Sequence, residues 1–267
     1  MSNQQINSFA SVSEIFDQEI ATRSGKVLGV FQDETRLFAR SVLPSVAEVL
    51  PEDRLQGGVA LRATESDIWL SPYIFRQVCS NGAIMAHTLQ TQHLSTLDWE
   101  DTTVAACTLR EAIRACCEPE AFATSVEEFR SATRVSADHA LSLLALLHQS
   151  GLSDTNLYRE IMDQFFREAD RTRFGLTNAV TAVARETRDP EVRWRLEELG
   201  GAIAAGQVPP SPKRGLRMIP KLRLSLAEAS EWCELRSAAL GASISHDDLE
   251  DASDEFVGVG DLASQFG

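Results

Sequence analysis

The segment GGVALRATESDIWLSPYIFRQVCSNG, residues 57–82, decides the fold class. β-Branched, aromatic and other apolar residues, several of them alternating with polar ones, lie on both sides of the polar stretch 64–67, which is typical of a hairpin turn. We therefore predict two strands, near residues 58–63 and 67–79. Asn81-Gly82 is a strong turn dipeptide and predicts a further turn after Cys79.

The sequence before this segment predicts short elements. Apolar residues near helical spacing follow Ser11 and Ser13, which are good helix caps, and predict a first helix. Ser24-Gly25-Lys26 is typical of a turn. Pro44–Leu50 predicts a short helix, because proline is tolerated in the first helical turn.

From Trp99 onward the apolar spacing is helical. It predicts helices over residues 102–117, 119–132, 136–149, 153–169 and 172–187. Asp189-Pro190 caps one more helix, which ends at Gly200-Gly201 or near Gly206. The expected fold class is α+β, with a small antiparallel β-sheet in the N-terminal third packed with a larger helical C-terminal part.

Composition divides the chain into five parts. Residues 1–10 are expected to be disordered, and 11–205 to form a single α+β domain. Residues 206–224 are a proline-rich basic linker, and 225–240 predict a further helix. Residues 241–267 hold seven acidic residues and no lysine or arginine, which predicts a disordered acidic tail.

The overall composition favours a globular protein away from membranes. The chain is 43% hydrophobic and 24% charged. No apolar run approaches the roughly 18–20 residues of a membrane span, and the first residues lack the pattern of an export signal. The five cysteines, two of them adjacent, do not form a disulfide framework, so a reducing, cytoplasmic location is expected.

Charge is unevenly distributed along the chain. The net charge is −14, which argues against general affinity for nucleic acid. Residues 159–223, however, carry 13 basic and 9 acidic side chains, whereas the segments on either side each carry a balance of −9. The segment 159–223 is therefore where an anionic partner is expected.

Two stretches resemble a known family. One is the turn 64–67 followed by YIFRQVCSNG at 73–82, and the other is FGLTNAVT at 174–181 followed by LEELGG at 196–201. Together they are similar to the phage- and plasmid-like proteins of domain-of-unknown-function family 932, over roughly residues 40–205. The family turn usually begins with asparagine, where this chain has Thr64. The resemblance implies a mobile-element setting and no established activity, and the setting suggests single-strand annealing by analogy only.

One face of the helix predicted at 172–187 is the best candidate for nucleic-acid binding. Arg171, Phe174, Asn178, Thr181 and Arg185 share a stripe opposite the apolar face. Two guanidinium groups, one ring and one amide suit a phosphate backbone and a stacked base. The alternatives are a solvated face or, in a central helix, a second packed face.

A second candidate lies at the end of the segment that decides the fold. Arg76 and Asn81 could hold an anion or the edge of a base. Alternatively, Arg76 pairs with Glu65 or Asp67 across the hairpin, and Asn81 adopts a turn conformation.

The third candidate is the linker, where Lys213, Arg214 and Arg217 could bind DNA or an acidic partner as a flexible arm. They could also pair with the acidic tail, or simply be solvated. An enzyme would use Cys79 as nucleophile with His87 as base, and Cys79 with His87 and His93 could instead form a partial metal site. The alternative is a buried structural cysteine. No spacing of metal ligands stands out, and neither a metal nor a cofactor is expected.

The expected function is binding and not catalysis. The sequence favours a mobile-element protein that associates with nucleic acid, such as single-stranded DNA, in binding or annealing, or that acts as a regulatory binding protein. The alternatives are a protein-interaction module that uses its acidic tail, and an enzyme built on Cys79. The sequence leaves open whether the chain forms oligomers.

Overall fold

The computed structural model describes residues 9–95, 102–137, 154–168 and 170–207, together with Leu152. Within this part a seven-stranded antiparallel sheet precedes most of the helices, so the predicted α+β class is confirmed. In chain order the elements are α1 Phe9–Ala21, β1 Lys26–Gln32, β2 Arg36–Val42, β3 Val46–Leu50, β4 Asp53–Thr64, β5 Asp67–Arg76, β6 Asn81–Ile84, β7 Gln92–Ser95, α2 Thr102–Cys116, α3 Pro119–Ala132, α4 Thr155–Arg167, α5 Arg173–Glu186 and α6 Pro190–Ala204.

The sheet has the strand order β1-β2-β4-β5-β6, with β3 beside β4 and β7 beside β5. The hairpin predicted from the sequence forms its centre as β4 and β5, which pair from Leu55↔Arg76 to Ala63↔Ile68. β4 begins earlier than predicted, and the other five strands were not predicted as strands. β2 in particular is buried on both faces, so its sequence lacks the polar–apolar alternation of a half-exposed strand.

Two expectations for local structure are wrong. Residues Val46–Leu50 form strand β3 and not a helix, because they pair with β4, and only the bend before the strand contains Pro44. Asn81 and Gly82 lie inside β6, and the turn falls at residues 77–80. Gly82 is required for packing, because a Cβ atom there would lie 1.8 Å from the Tyr73 hydroxyl.

Helices pack on both faces of the sheet. On one face α1 and α2 pack onto the sheet through a core that includes Phe16, Leu61 and Leu109. On the other face Trp194 of α6 packs against Phe38 and Tyr73. A separate apolar cluster joins α4, α5 and α6, so α5 packs against both α4 and α6.

The predicted helices beyond the sheet are confirmed where the structure describes them. Their ends follow local capping rules: the Asp189 carboxylate accepts hydrogen bonds from two backbone N–H groups at the start of α6, and Thr172 caps α5. None of the helices in the described part of the chain is long and apolar enough to cross a membrane. The helix predicted at 136–149 lies almost wholly outside the described residues, as do the N-terminal segment up to residue 8, the linker from 208, the helix predicted at 225–240 and the acidic tail.

Candidate functional site

Arg76 lies at the end of β5, where its guanidinium group is held by neighbours of this chain. Its Nε donates to both oxygens of Asp53, at 2.8 and 2.9 Å, and Nη2 lies 2.6 Å from Asp53 Oδ2. The guanidinium carbon lies 5.1 Å from the centre of the Phe174 ring. The expected pairing with Glu65 or Asp67 is therefore wrong, and an anion would have to compete with Asp53 for Arg76.

Cys79 does not have the surroundings of a nucleophile. Arg76 Nη1 donates to its Sγ at 3.1 Å. Burial raises the pKa of the Cys79 thiol, and the nearby guanidinium opposes this shift without cancelling it. His87, the suggested base, has its Nε2 3.0 Å from Glu128 Oε1 on α3. The geometry of the described residues thus gives no support to a Cys79–His87 enzyme.

Asn81 and Arg185, which the sequence placed in separate candidates, meet in the structure. Asn81 is only 3% exposed, and its Nδ2 donates to the Asn178 carbonyl of α5 at 3.5 Å. Arg185 Nη1 donates to the Cys79 carbonyl and, at 3.4 Å, to Asn81 Oδ1. These bonds hold the turn after β5 and the start of β6 against the middle and the C-terminal end of α5.

The predicted nucleic-acid stripe on α5 is not a surface. Phe174, Asn178 and Thr181 are each 3% exposed or less, because α5 packs on both its apolar and its polar side. Thr181 donates its hydroxyl hydrogen within the helix, to the Thr177 carbonyl at 2.9 Å. Arg171 donates to three carbonyls at the end of α4 and so serves as a cap for that helix. The expectation of a solvent-facing stripe is wrong for its three middle members.

The segments that carry the family resemblance contact one another. Thr177 of α5 donates to the Gly200 carbonyl of α6 at 3.3 Å, and a Cβ atom at Gly201 would lie 2.1 Å from the Ile84 carbonyl oxygen of β6. Close approach of α5, α6 and β6 explains why small and short polar residues stand at these positions. In this chain the matching residues form a packing junction.

A row of side chains that no sequence pattern indicates crosses the sheet from one edge to the other. Register places Phe31, Phe38, Arg62, Trp69 and His93 side by side on β1, β2, β4, β5 and β7. In this order, the distances between neighbouring ring centres, or between a ring centre and the Arg62 guanidinium carbon, are 6.2, 5.9, 5.0 and 5.1 Å. The rings of Trp69 and His93 are stacked, with an angle of 16° between their planes. We call these five residues the stacked row. No local signal reveals it, because strand pairing joins residues far apart in the sequence.

Helix α6 covers the middle of the stacked row and leaves its two ends open. Trp194 packs on Phe38, with 5.8 Å between ring centres, and Phe38 is fully buried. At one end Phe31 is 40% exposed. At the other end the His93 side chain is 55% exposed and its Nε2 lies 2.8 Å from Asp67 Oδ1. His93 lies on β7, which is an edge strand of the described sheet.

Two glutamates of α6 form ion pairs with arginines of the sheet and of α6 next to the stacked row. Glu191 Oε1 lies 3.0 Å from Arg62 Nη2 and also 3.0 Å from Arg195 Nε. Glu197 is shared in the same way between Arg40, at 2.5 Å, and Arg193, at 3.0 Å. Each pair of arginines shares one carboxylate in this acidic protein. Burial raises the pKa of a further carboxyl group here, Glu198.

One pocket lies between the sheet and the α2–α3 turn, lined by Gly58, Tyr73, Cys116 and Phe122 among others. It holds about 10 Å³, roughly the space of a single water. No group of three or more metal-ligating side chains occurs among the described residues. The linker candidates Lys213, Arg214 and Arg217 lie outside them.

Comparison with known proteins gives no further guide to the site, since the chain matches no protein-family model, no curated protein and no solved structure.

Proposed function

We propose that this protein binds single-stranded nucleic acid at the His93 end of the stacked row, with a base stacked on the outer face of the His93 ring. The observation that carries the proposal is the continuous stack of Arg62, Trp69 and His93, which ends at a half-exposed ring on an edge strand. Aromatic side chains on a sheet are a common support for unpaired bases, because every base has a π-face and stacks irrespective of sequence.

The charges beside the row supply the second part of the argument. Arg62 and Arg195 share the carboxylate of Glu191, so this trio carries one positive charge. Arg193 and Arg195 have side chains 34% and 39% exposed, which lets each of them turn toward a phosphate group. Two such phosphate contacts predict that binding depends only weakly on salt. For a single strand, the logarithm of the binding constant should fall with the logarithm of the salt concentration with a slope of about −1.4.

The α5 stripe is no longer the place where this function is expected. Its ring and amide are buried, and Arg171 and Arg185 bond to backbone carbonyls of this chain. The sheet face offers what the stripe was expected to offer, namely a half-exposed ring with guanidinium groups in the same row of residues. The nucleic acid is therefore assigned to β7 and to the first turn of α6, where Glu191 pairs with Arg62 of the stacked row.

The proposal is tested by titrating labelled oligothymidine and oligouridine with wild-type protein and with His93→Ala, at several salt concentrations. Loss of one stacked base costs about 1–3 kcal/mol, so the Kd of His93→Ala should rise between about 5-fold and 150-fold with an unchanged salt slope. The exposed position of His93 lets the fold survive, which an unchanged melting temperature would verify.

The matched control is Gln92→Ala, in the same strand, where the side chain points to the opposite face of the sheet. Its affinity should equal that of the wild type. If the wild-type protein binds no single strand even at low salt, nucleic-acid binding is refuted. If His93→Ala and Gln92→Ala bind equally well, the base is not at His93.

A further inference from the structure

Strand β1 is an exposed edge with an apolar surface. Within the described sheet it pairs with β2 alone, so the opposite row of its backbone N–H and C=O groups faces no strand. Leu28, Val30 and Phe31 are 42%, 50% and 40% exposed. An edge of this kind is prone to pair with another chain, and natural proteins usually protect it with charges, prolines or a covering element. Within the strand itself only Lys26 is charged.

The two ends of β1 are complementary to each other. Lys26 begins the strand, and the acidic residues Asp33 and Glu34 follow its other end. In an antiparallel pair of two β1 strands centred on Val30, each Lys26 therefore lies opposite Glu34 of the other copy, whereas Asp33 is already paired with Arg36 of its own chain. Such a pairing brings opposite charges together twice.

The middle of β1 is also self-complementary. Gly29 and Phe31 lie opposite Arg40 and Phe38 in the β2 register, so they share one face of the sheet. Nothing lies within 4 Å of the position that a Cβ atom on Gly29 would take. When Val30 faces Val30 of a second copy, Gly29 faces Phe31 of that copy, and the ring fills the open space. Aromatic side chains opposite glycine are a known means of stabilising strand pairs.

The geometry points to a second copy of this chain as the occupant of the edge, paired antiparallel through β1 about a two-fold axis at Val30. The two-fold arrangement uses the one free edge of β1 in each copy, so it closes as a dimer and does not propagate into a fibre. Because only one seven-residue strand from each copy takes part, the dimer is expected to be weak and to depend on concentration. This inference is independent of the proposed nucleic-acid binding.

Sedimentation velocity of the full chain over a wide range of concentration tests the inference. The wild type should shift from the monomer of 29.3 kDa to twice that mass. Val30→Lys puts two like charges opposite each other at the axis, as does Val30→Glu, and each variant alone should stay monomeric. An equimolar mixture of the two variants should form dimers again, because lysine then faces glutamate. That recovery also shows that both variants are folded.

The matched control is Val46→Lys on β3, an equally exposed position of the same sheet outside β1. It should dimerise like the wild type. The inference is overturned if the wild type stays monomeric at every concentration, if the lysine and glutamate variants do not recover dimers on mixing, or if Val46→Lys abolishes the dimer as Val30→Lys does. Dimerisation of the wild type with no effect of Val30→Lys would place the interface elsewhere and overturn it equally.

Discussion

Replacement of Glu197 by glutamine tests the buried ion pair that joins α6 to the sheet. The side chain of Glu197 is 2% exposed, and its carboxylate accepts from Arg40 Nε at 2.5 Å and from Arg193 Nε at 3.0 Å. In Glu197→Gln the Arg40 guanidinium keeps its charge, although its side chain is only 10% exposed. Its Nη2 has no hydrogen-bond partner within the described part of the chain. The variant therefore leaves a buried cation without its anion.

The size of the effect follows from this geometry. Two unit charges about 4 Å apart, with an effective dielectric constant of about 20, interact by about 4 kcal/mol. Breaking a buried pair by removing one partner costs about 3–5 kcal/mol in other proteins. We therefore expect Glu197→Gln to lower the free energy of unfolding by about 4 kcal/mol, a large part of a typical domain's stability.

Urea denaturation followed by tryptophan fluorescence measures this loss, since Trp194 lies beside Arg40. Arg193→Ala is the matched control. The side chain of Arg193 is 34% exposed, and Glu197 keeps Arg40 when Arg193 is removed, so the control should lose less than about 1 kcal/mol. Equal losses for the two variants, or a loss below about 1 kcal/mol for Glu197→Gln, would refute the assignment of a buried, paired charge.

Three further predictions concern other parts of the molecule. Gly201→Ala should lower the free energy of unfolding by about 1–3 kcal/mol in the same assay, because its Cβ atom meets the Ile84 carbonyl and α6 must shift; an unchanged value contradicts the close approach. Burial disfavours the ionised form of Glu19, but hydrogen bonds from two arginines outweigh it and hold the carboxyl pKa below its usual value. The stability that the Glu19 carboxylate contributes is present above the usual carboxyl pKa and is lost as the pH falls through the lowered pKa. Glu19→Gln should therefore flatten the acid limb of a curve of stability against pH, and an unchanged slope would contradict this prediction. Thiol labelling at neutral pH, followed by mass spectrometry, should be slower at Cys79, whose pKa is raised by burial, than at the exposed Cys107; the reverse order would point to an activated thiol.

The helical part of the fold could be predicted because its signals are local. Asp189-Pro190 starts α6 where the sequence indicates, since a cap and a proline act within one turn of the helix. The hairpin of β4 and β5 could be predicted for the same reason, from a polar turn between two β-rich runs. In both cases the residues that determine the structure are neighbours in the chain.

The candidate site could not be predicted, because it depends on contacts between distant residues. The stripe on α5 has the spacing of a surface, yet Asn178 is buried and Thr181 donates its hydroxyl hydrogen within the helix. Arg40 looks like an exposed strand residue until Glu197, 157 positions later, is brought against it. The stacked row exists only once the register of the sheet is known, and register is a long-range property of the chain.

Backbone amide NMR during titration with a short oligothymidine tests the central claim most directly, namely that the binding surface is the His93 end of the stacked row. The account predicts that the largest shifts occur on β7 around His93, next to it on β5 around Trp69, and on the first turns of α6, with the interior of α5 unaffected. Shifts confined to α5 or to residues 208–224, or no shifts at all, would contradict it.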